Sequence, residues 1–230
     1  LVKTMRLSFL KRTHSPKIYD CGYTDSTSGI YIVTDPVKYR FYQQEYLRSN
    51  PGIKWRSYIP VLNTSIQYLE IGVHKGENII DVANSYAQHP LSKIHCVDPW
   101  EDYQEYTEYK KEQPVLFDMF KANTKHISDK CIKYRGFSDN IVPKFDDNYF
   151  DIIFVDGNHE MEFVYRDGVM SFQKVKSGGY IIFDDYSNYW PQTMTGIDRF
   201  LKEYSEWIEI IARPTSIVFG CSPQVIIRKL

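Results

Sequence analysis

Tyr68-Leu69-Glu70-Ile71-Gly72-Val73-His74-Lys75-Gly76 decides the fold. A β-prone run from Gln67 to Gly72 breaks into a turn with a second glycine at Gly76, and from Glu77 to Gln88 the sequence takes on helical periodicity. The same change of period repeats down the chain. Strands are expected at Gln67–Gly72, Lys93–Asp98, Cys131–Gly136, Phe150–Asp156 and Gly179–Asp184. Helices are expected between them at Glu77–Gln88, Val115–His126 and Glu160–Val175, the last with Met161, Val164, Gly168, Phe172 and Val175 on one face. Such alternation gives βαβ units and a parallel sheet. Ile152–Val155 and Tyr180–Phe183 are continuous runs, as in strands covered on both faces. A helix near Thr195–Tyr204 and closing strands at Trp207–Ile211 and Gln224–Arg228 complete a doubly wound α/β, mostly parallel seven-stranded sheet.

Upstream of this pattern the character changes. Residues 1–34 carry Lys3, Arg6, Lys11, Arg12 and Lys17, then the turn-rich stretch Thr24–Gly29, and read as an extension or linker. A helix is expected from Asp35, with Pro36 in its first turn, ending at Asn50-Pro51-Gly52. The domain therefore runs from 35 to 230, behind a helical and extended N-terminal addition.

With 43% hydrophobic and 25% charged residues, the 230-residue chain can bury a core and is not disordered throughout. Twenty-eight basic against 29 acidic residues argue against a polyanion holder, so no nucleic-acid partner is expected. The aromatic share, 16% with 19 Tyr, suits a carbohydrate-facing or partner surface as well as a core. No apolar run approaches the ~20 residues of a membrane span, and Leu7–Leu10 is too short for a signal-peptide core. Cys21, Cys96, Cys131 and Cys221 lack metal-ligand spacing and read as reduced thiols, so a cytoplasmic location is expected. The start at Leu1 suggests a piece of a larger multidomain chain; a homo-oligomer is the other expected setting.

In open α/β sheets ligands bind beyond the carboxyl ends of the strands, so chemistry is sought there. The Gly72–Gly76 turn lets backbone approach a nucleoside-like group closely. GxGxxG is absent, which counts against a nicotinamide cofactor. Asp98, at the second tip, is placed to accept both hydroxyls of a ribose; capping of the turn before Pro99 is the competing reading. Gly136-Phe137-Ser138-Asp139 is a polar turn suited to the edge of an adenine ring, or to a helix cap by Ser138. The sharpest feature is Asp156-Gly157-Asn158-His159 followed by Asp184-Asp185-Tyr186. Three carboxylates on adjacent strand tips repel unless a cation or protons compensate them, and oxygen ligands point to Mg²⁺, Mn²⁺ or Ca²⁺. His159 adds a titratable base beside them.

Glu70-x-Gly72-x-x-x-Gly76, Asp98, Val155-Asp156-Gly157-Asn158-His159 and Ser177-Gly178-Gly179 through Tyr186 together resemble the class I S-adenosylmethionine-dependent methyltransferases, over about half the chain. Within that Rossmann-like superfamily the acids resemble those of metal-dependent sugar O-methyltransferases, such as those acting on macrolide deoxysugars and aminocoumarins. A weaker resemblance is to methyltransferase domains in glycan-synthesis proteins of large algal viruses. The resemblance implies that Gly72 and Gly76 surround the methionine part of the donor with Glu70 in support, that Asp98 binds its ribose, and that Ser138 lies near its adenine. It implies a cofactor-binding and metal role for Asp156, with Asp184 and Asp185 completing a Mg²⁺ or Mn²⁺ site. One branch of the family has an acid as base two residues after the first; here that position is Asn158, and the role passes to His159.

A small-molecule or glycan acceptor, for example one bearing rhamnose, is then expected to meet Tyr186, Trp190 and Tyr103. Tyr103 belongs, with Tyr106 and Tyr109, to the stretch from Trp100 to Pro114, which reads as a lid or as one packed helix face. A catechol-like acceptor is the second enzymatic reading. A nucleotide-binding module without chemistry is the rival class, followed by a nicotinamide oxidoreductase.

Overall fold

A computed structural model describes residues 55–101, 113–213 and 224–230. The expected linker at 1–34, the helix from Asp35, and Tyr103 with its neighbouring tyrosines lie outside the described residues. Seven strands form one sheet: β1 (Gln67–Ile71), β2 (Lys93–Asp98), β3 (Cys131–Arg135), β4 (Phe150–Val155), β5 (Val175–Phe183), β6 (Ile208–Ala212) and β7 (Val225–Lys229). Their order is β3-β2-β1-β4-β5-β7-β6, parallel except for β7, which runs antiparallel to both β5 and β6. The helices are α1 (Trp55–Tyr58), α2 (Glu77–Asn84), α3 (Gln113–Asn123), α4 (Ser138–Ile141), α5 (Met161–Lys174) and α6 (Pro191–Glu203).

Alternation of side chains across the strands separates two cores. Tyr68, Ile94, Cys96, Ile152, Phe154 and Ile182 face α1, α2 and α3, packing with Trp55, Ile79, Ile80 and Phe120. Leu69, Ile71, Ile153, Val155, Ile181 and Phe183 face the other way, onto Val164 of α5 and Ile197 and Phe200 of α6. Both layers are apolar, which is why β4 and the end of β5 read as continuous runs.

The differences from expectation are local. β5 starts at Val175, four residues before the expected Gly179. Ser177-Gly178-Gly179 is absorbed into the strand, with Gly178 at φ 79° and a register shift opposite Phe150–Ile152. The helix expected over Val115–His126 stops at Asn123 and continues as a single 3-10 turn at Lys125–Ile127. On α5 the buried face holds Val164, Gly168 and Ser171 together with Asp167 and Lys174, while Met161 and Phe172 are only half-buried. Cys96 and Cys131 are free and buried. No helix among the described residues is long and apolar enough to cross a membrane.

Because β1 pairs with β2 on one side and β4 on the other, the chain reverses its winding between β1 and β4. That reversal opens a crevice at the carboxyl ends of these strands.

Candidate active site

The glycine turn leaves β1 at this crevice. Gly72 has φ 84°, a left-handed conformation that side chains avoid. A Cβ there would lie 1.8 Å from the Asp156 carbonyl oxygen, so the tips of β1 and β4 touch through backbone alone. Gly76, at φ 85° before α2, is packed less closely, its Cβ position lying 2.9 Å from the Thr124 side chain and 3.1 Å from that of Phe120.

Asp98 ties this turn to β2. Its Oδ2 accepts the N–H groups of Val73 (2.9 Å) and His74 (2.8 Å), and its Oδ1 accepts that of Trp100 (2.7 Å). Trp100 is fully buried with φ 41°, and its indole N–H donates to the His74 carbonyl at 2.8 Å. A carboxylate offers roughly four lone-pair positions, and three donors already occupy them here. This arrangement fills three of those positions and leaves room on Asp98 for a further donor. Burial pushes its pKa up to about 6, against the lowering by those N–H groups.

Glu70 does not line the crevice. It is buried under α2, where its Oε2 accepts from Tyr68 Oη (2.7 Å) and Asn78 Nδ2 (2.6 Å). Desolvation raises its pKa to about 7 despite these donors. Ser138 is the first residue of α4 and forms no side-chain cap; its hydroxyl bonds instead to Asp167, a carboxylate buried on α5. Asp167 also stands 3.1 Å from where a Gly157 Cβ would be, so it braces the β3 and β4 tips against each other.

The acids gather as expected, with one exchange of members. Asp156, His159 and Asp185 bring one ligand atom each within 4.8 Å of one another. His159 Nε2 lies 2.7 Å from Asp185 Oδ2, and the imidazole stacks on Trp190 with ring centroids 4.2 Å apart. Asp185 has φ 58°, a left-handed position that Asp tolerates better than most residues. Asp184 is outside the cluster: it is buried, its Oδ1 accepts the Asp185 N–H at 2.9 Å, and the Gln224 amide bonds to its carboxylate. Burial first, and the Asp185 charge second, drive its pKa well above the carboxylate range. Val155, Gly157, Asn158, Val164, Phe183 and Thr193 complete the small cavity around these groups.

Of the expected acceptor residues, Trp190 reaches the cluster through His159. Tyr186 does not: it is buried, and its hydroxyl donates to Asp198 (2.9 Å) while accepting from Arg213 (2.6 Å), a link from the β5 tip to α6 and β6. Sequence reasoning missed Asp167 and Gln224. Asp167 had a readable signal, an acid on an otherwise apolar helical stripe. Gln224 had none, since it stands 40 positions from Asp184 at the start of a strand.

A doubly wound sheet with a glycine turn and acid-bearing strand tips at its switch point is the architecture in which ligands bind beyond the carboxyl ends of the strands. The chain belongs to the methyltransferase-domain family, which it matches over residues 69–186. It is 30% identical over 148 residues to an uncharacterized protein of Acanthamoeba polyphaga mimivirus, a stretch covering 60% of this chain and 60% of that relative. Among solved structures it is similar to the Bacillus cereus O-methyltransferase in complex with SAH (13% identity, TM-score 0.56, 100% of both chains). It is also similar to the O-methyltransferase TomG of Streptomyces achromogenes in complex with SAM (11%, 0.57, 98% of this chain and 96% of that one). A third is the O-methyltransferase NovP (14%, 0.55, 81% and 79%). At these identities the structural likenesses establish the fold.

Proposed function

We propose that the chain transfers a methyl group from S-adenosylmethionine to a sugar hydroxyl, with Mg²⁺ or Mn²⁺ held at the β4 and β5 tips. The observation that carries this reading is the Asp156–His159–Asp185 cluster at the same crevice as the glycine turn. The structural neighbours support the donor and the oxygen acceptor, since TomG and the Bacillus cereus enzyme are O-methyltransferases with SAM or SAH bound. Trp190, with the exposed Tyr189 beside it, supports a sugar by offering aromatic faces next to the cluster.

The donor set fits a divalent cation: two carboxylates converge on one point, and Asp184 stands just behind them. When bound, such an ion supplies charge stabilisation to a hydroxyl losing its proton. His159 is the proton acceptor. In the tautomer that carries the proton on Nε2, the imidazole donates to Asp185, which orients the ring and places the basic lone pair on Nδ1. Trp190 holds the ring from its face. The acceptor oxygen bonds to the methyl carbon as the carbon–sulfur bond breaks, its proton passes to His159, and S-adenosylhomocysteine leaves. Glu70 and Asp98 shape the turn that receives the donor, Ser138 with Asp167 borders its adenine end, and the amide of Asn158 is not basic enough to take the proton.

The first test is calorimetric titration with S-adenosylhomocysteine, followed by methyl-transfer assays on rhamnosides and catechols with Mn²⁺ or EDTA. Saturable binding and EDTA-sensitive methylation of a rhamnoside are expected. Methylation of catechols alone would replace the sugar reading, and a folded protein that binds no S-adenosylhomocysteine at millimolar ligand would overturn the donor. His159→Ala is expected to lower turnover by roughly 10²- to 10⁴-fold with donor affinity nearly unchanged; full activity in that variant removes His159 from the chemistry.

A further inference from the structure

Behind the acidic cluster a single buried amide joins two parts of the chain that the sequence keeps far apart. Gln224, immediately before β7, is buried, and its Oε1 accepts the Trp55 backbone N–H at 3.2 Å. That contact sets which end of the amide points where. The oxygen is committed to Trp55, so the NH₂ end faces Asp184 and donates to its carboxylate. Asp184 Oδ1 in turn accepts the Asp185 N–H at 2.9 Å, and Asp185 sits at φ 58° with its own carboxylate on His159 at 2.7 Å. A continuous series of bonds therefore runs from the first turn of α1, through β7 and the β5 tip, to the residues that would hold the cation.

We infer that Gln224 is a positioning residue for the cation site: by donating to Asp184 it fixes the carboxylate that holds the Asp185 backbone in its left-handed turn, aiming the Asp185 side chain at Asp156 and His159. The inference rests on the cation reading above. Partners behind metal ligands commonly govern affinity about 10- to 100-fold, and this one is held by a buried contact to Trp55 rather than by the mobile end of a surface side chain. The hydrogen bond also keeps Asp184 from turning its oxygens away from the Asp185 amide, where nothing else in the described structure is seen to replace them.

The experiment is Mn²⁺ titration of the full chain, without methyl donor or acceptor, followed by electron paramagnetic resonance. Gln224→Met keeps the volume and loses both bonds; Gln224→Glu keeps an acceptor for Trp55 and loses the donor to Asp184. Both variants are expected to bind Mn²⁺ 10- to 100-fold more weakly than the parent, with S-adenosylhomocysteine affinity retained as the control for folding. Wild-type Mn²⁺ affinity in Gln224→Glu would overturn the proposal, because anchoring at Trp55 would then suffice. Unchanged affinity in both variants overturns it as well. If a variant loses S-adenosylhomocysteine binding too, the Asp184→Asn variant, which keeps an oxygen for the Asp185 amide, decides: retention of the parent affinity there overturns the role of the Gln224–Asp184 bond. A parent protein that binds no Mn²⁺ would instead sink the cation reading itself.

Discussion

The two walls of the crevice are finished differently. On the β1–β2 side every polar group named above is paired within the protein: Asp98 takes three backbone N–H groups, Glu70 takes Tyr68 and Asn78, and the Trp100 indole closes on His74. On the β4–β5 side, Asp156, Asp184 and Asp185 crowd together with one imidazole, and burial and mutual charge raise Asp184 far above an ordinary carboxylate. The first wall ties each acid to neutral donors of the turn and of α2, whereas the second gathers three acids and an imidazole around one small cavity. A wall of the first kind presents backbone to a ligand; on the proposed reading, one of the second kind takes its compensating charge from a cation.

The comparison breaks most severely at Gly72. Gly72→Ala puts a methyl group 1.8 Å from the Asp156 carbonyl and forces an L-residue to φ 84°, so the tips of β1 and β4 must separate. Loss of more than about 4 kcal/mol, or failure to fold, is expected, read by urea denaturation alongside S-adenosylhomocysteine binding. Asp98→Ala comes next. It strands three backbone donors in a buried turn, and at about 1–3 kcal/mol for an unsatisfied group, tempered by relaxation and water entry, a destabilisation of roughly 2–4 kcal/mol is expected. A variant as stable as the parent would mean that the turn holds its shape without Asp98.

How much of this was legible follows the same division. The strand tips and the turn were readable because periodicity changes sharply at Gly72, Asp98, Asp156 and Asp184, and neighbouring strands bring those positions to one edge. The exchange between Asp184 and His159 was not. Which of two adjacent acids turns toward the crevice depends on the Asp185 backbone angle and on Gln224, and neither leaves a mark in local sequence. Tyr186 shows the same limit: directly after the acids it looks like a pocket residue, and only the fold reveals that Asp198 and Arg213, 12 and 27 positions on, draw its hydroxyl into the packing of α6. Asp98 was located correctly as a strand-tip acid, but its three backbone donors emerge only when the glycine turn folds over it.

A smaller effect with an unusual sign tests the charged wall. Asp185→Asn removes one of the crowded charges while keeping a residue that tolerates the left-handed turn. Without divalent ions the variant is expected to be as stable as the parent or more so, by up to about 1 kcal/mol. Added Mn²⁺ should then separate the two proteins: the parent gains about 2.7 kcal/mol at a hundredfold excess over its dissociation constant, and the variant gains little. Thermal melts with EDTA and with Mn²⁺ read both halves. Equal stabilisation of the two proteins by Mn²⁺ would place the ion elsewhere, and a strong loss in EDTA would make Asp185 a structural residue like Asp98.

The smallest effect sharpens the paired side. His95 is buried, with Nδ1 3.0 Å from Tyr134 Oη and Nε2 3.2 Å from Gln67 Oε1, among the rings of Phe145, Tyr149 and Phe150. Burial, helped by the Lys93 charge, lowers its pKa from 6.5 to about 4. In the window between those values the unfolded chain binds a proton that the folded chain refuses. Its contribution to stability is therefore intact above pH 6.5 and is lost as pH falls toward 4, by at most about 1.4 kcal/mol per pH unit. Glu70 and Asp98 act with the opposite sign, since their raised pKa values favour the folded state at low pH and that gain fades as pH rises through about 7 and about 6. The parent's pH profile is thus a difference of opposed slopes, and only subtraction isolates His95. His95→Phe, with Tyr149 Oη still donating to Gln67 at 3.1 Å, is expected to cost about 1 kcal/mol at pH 7 and to abolish the His95 slope. If urea midpoints of parent and variant run parallel from pH 7 to pH 4.5, the imidazole takes up its proton in the folded state as readily as in the unfolded one, and its pairing with Tyr134 and Gln67 does not exclude the charge.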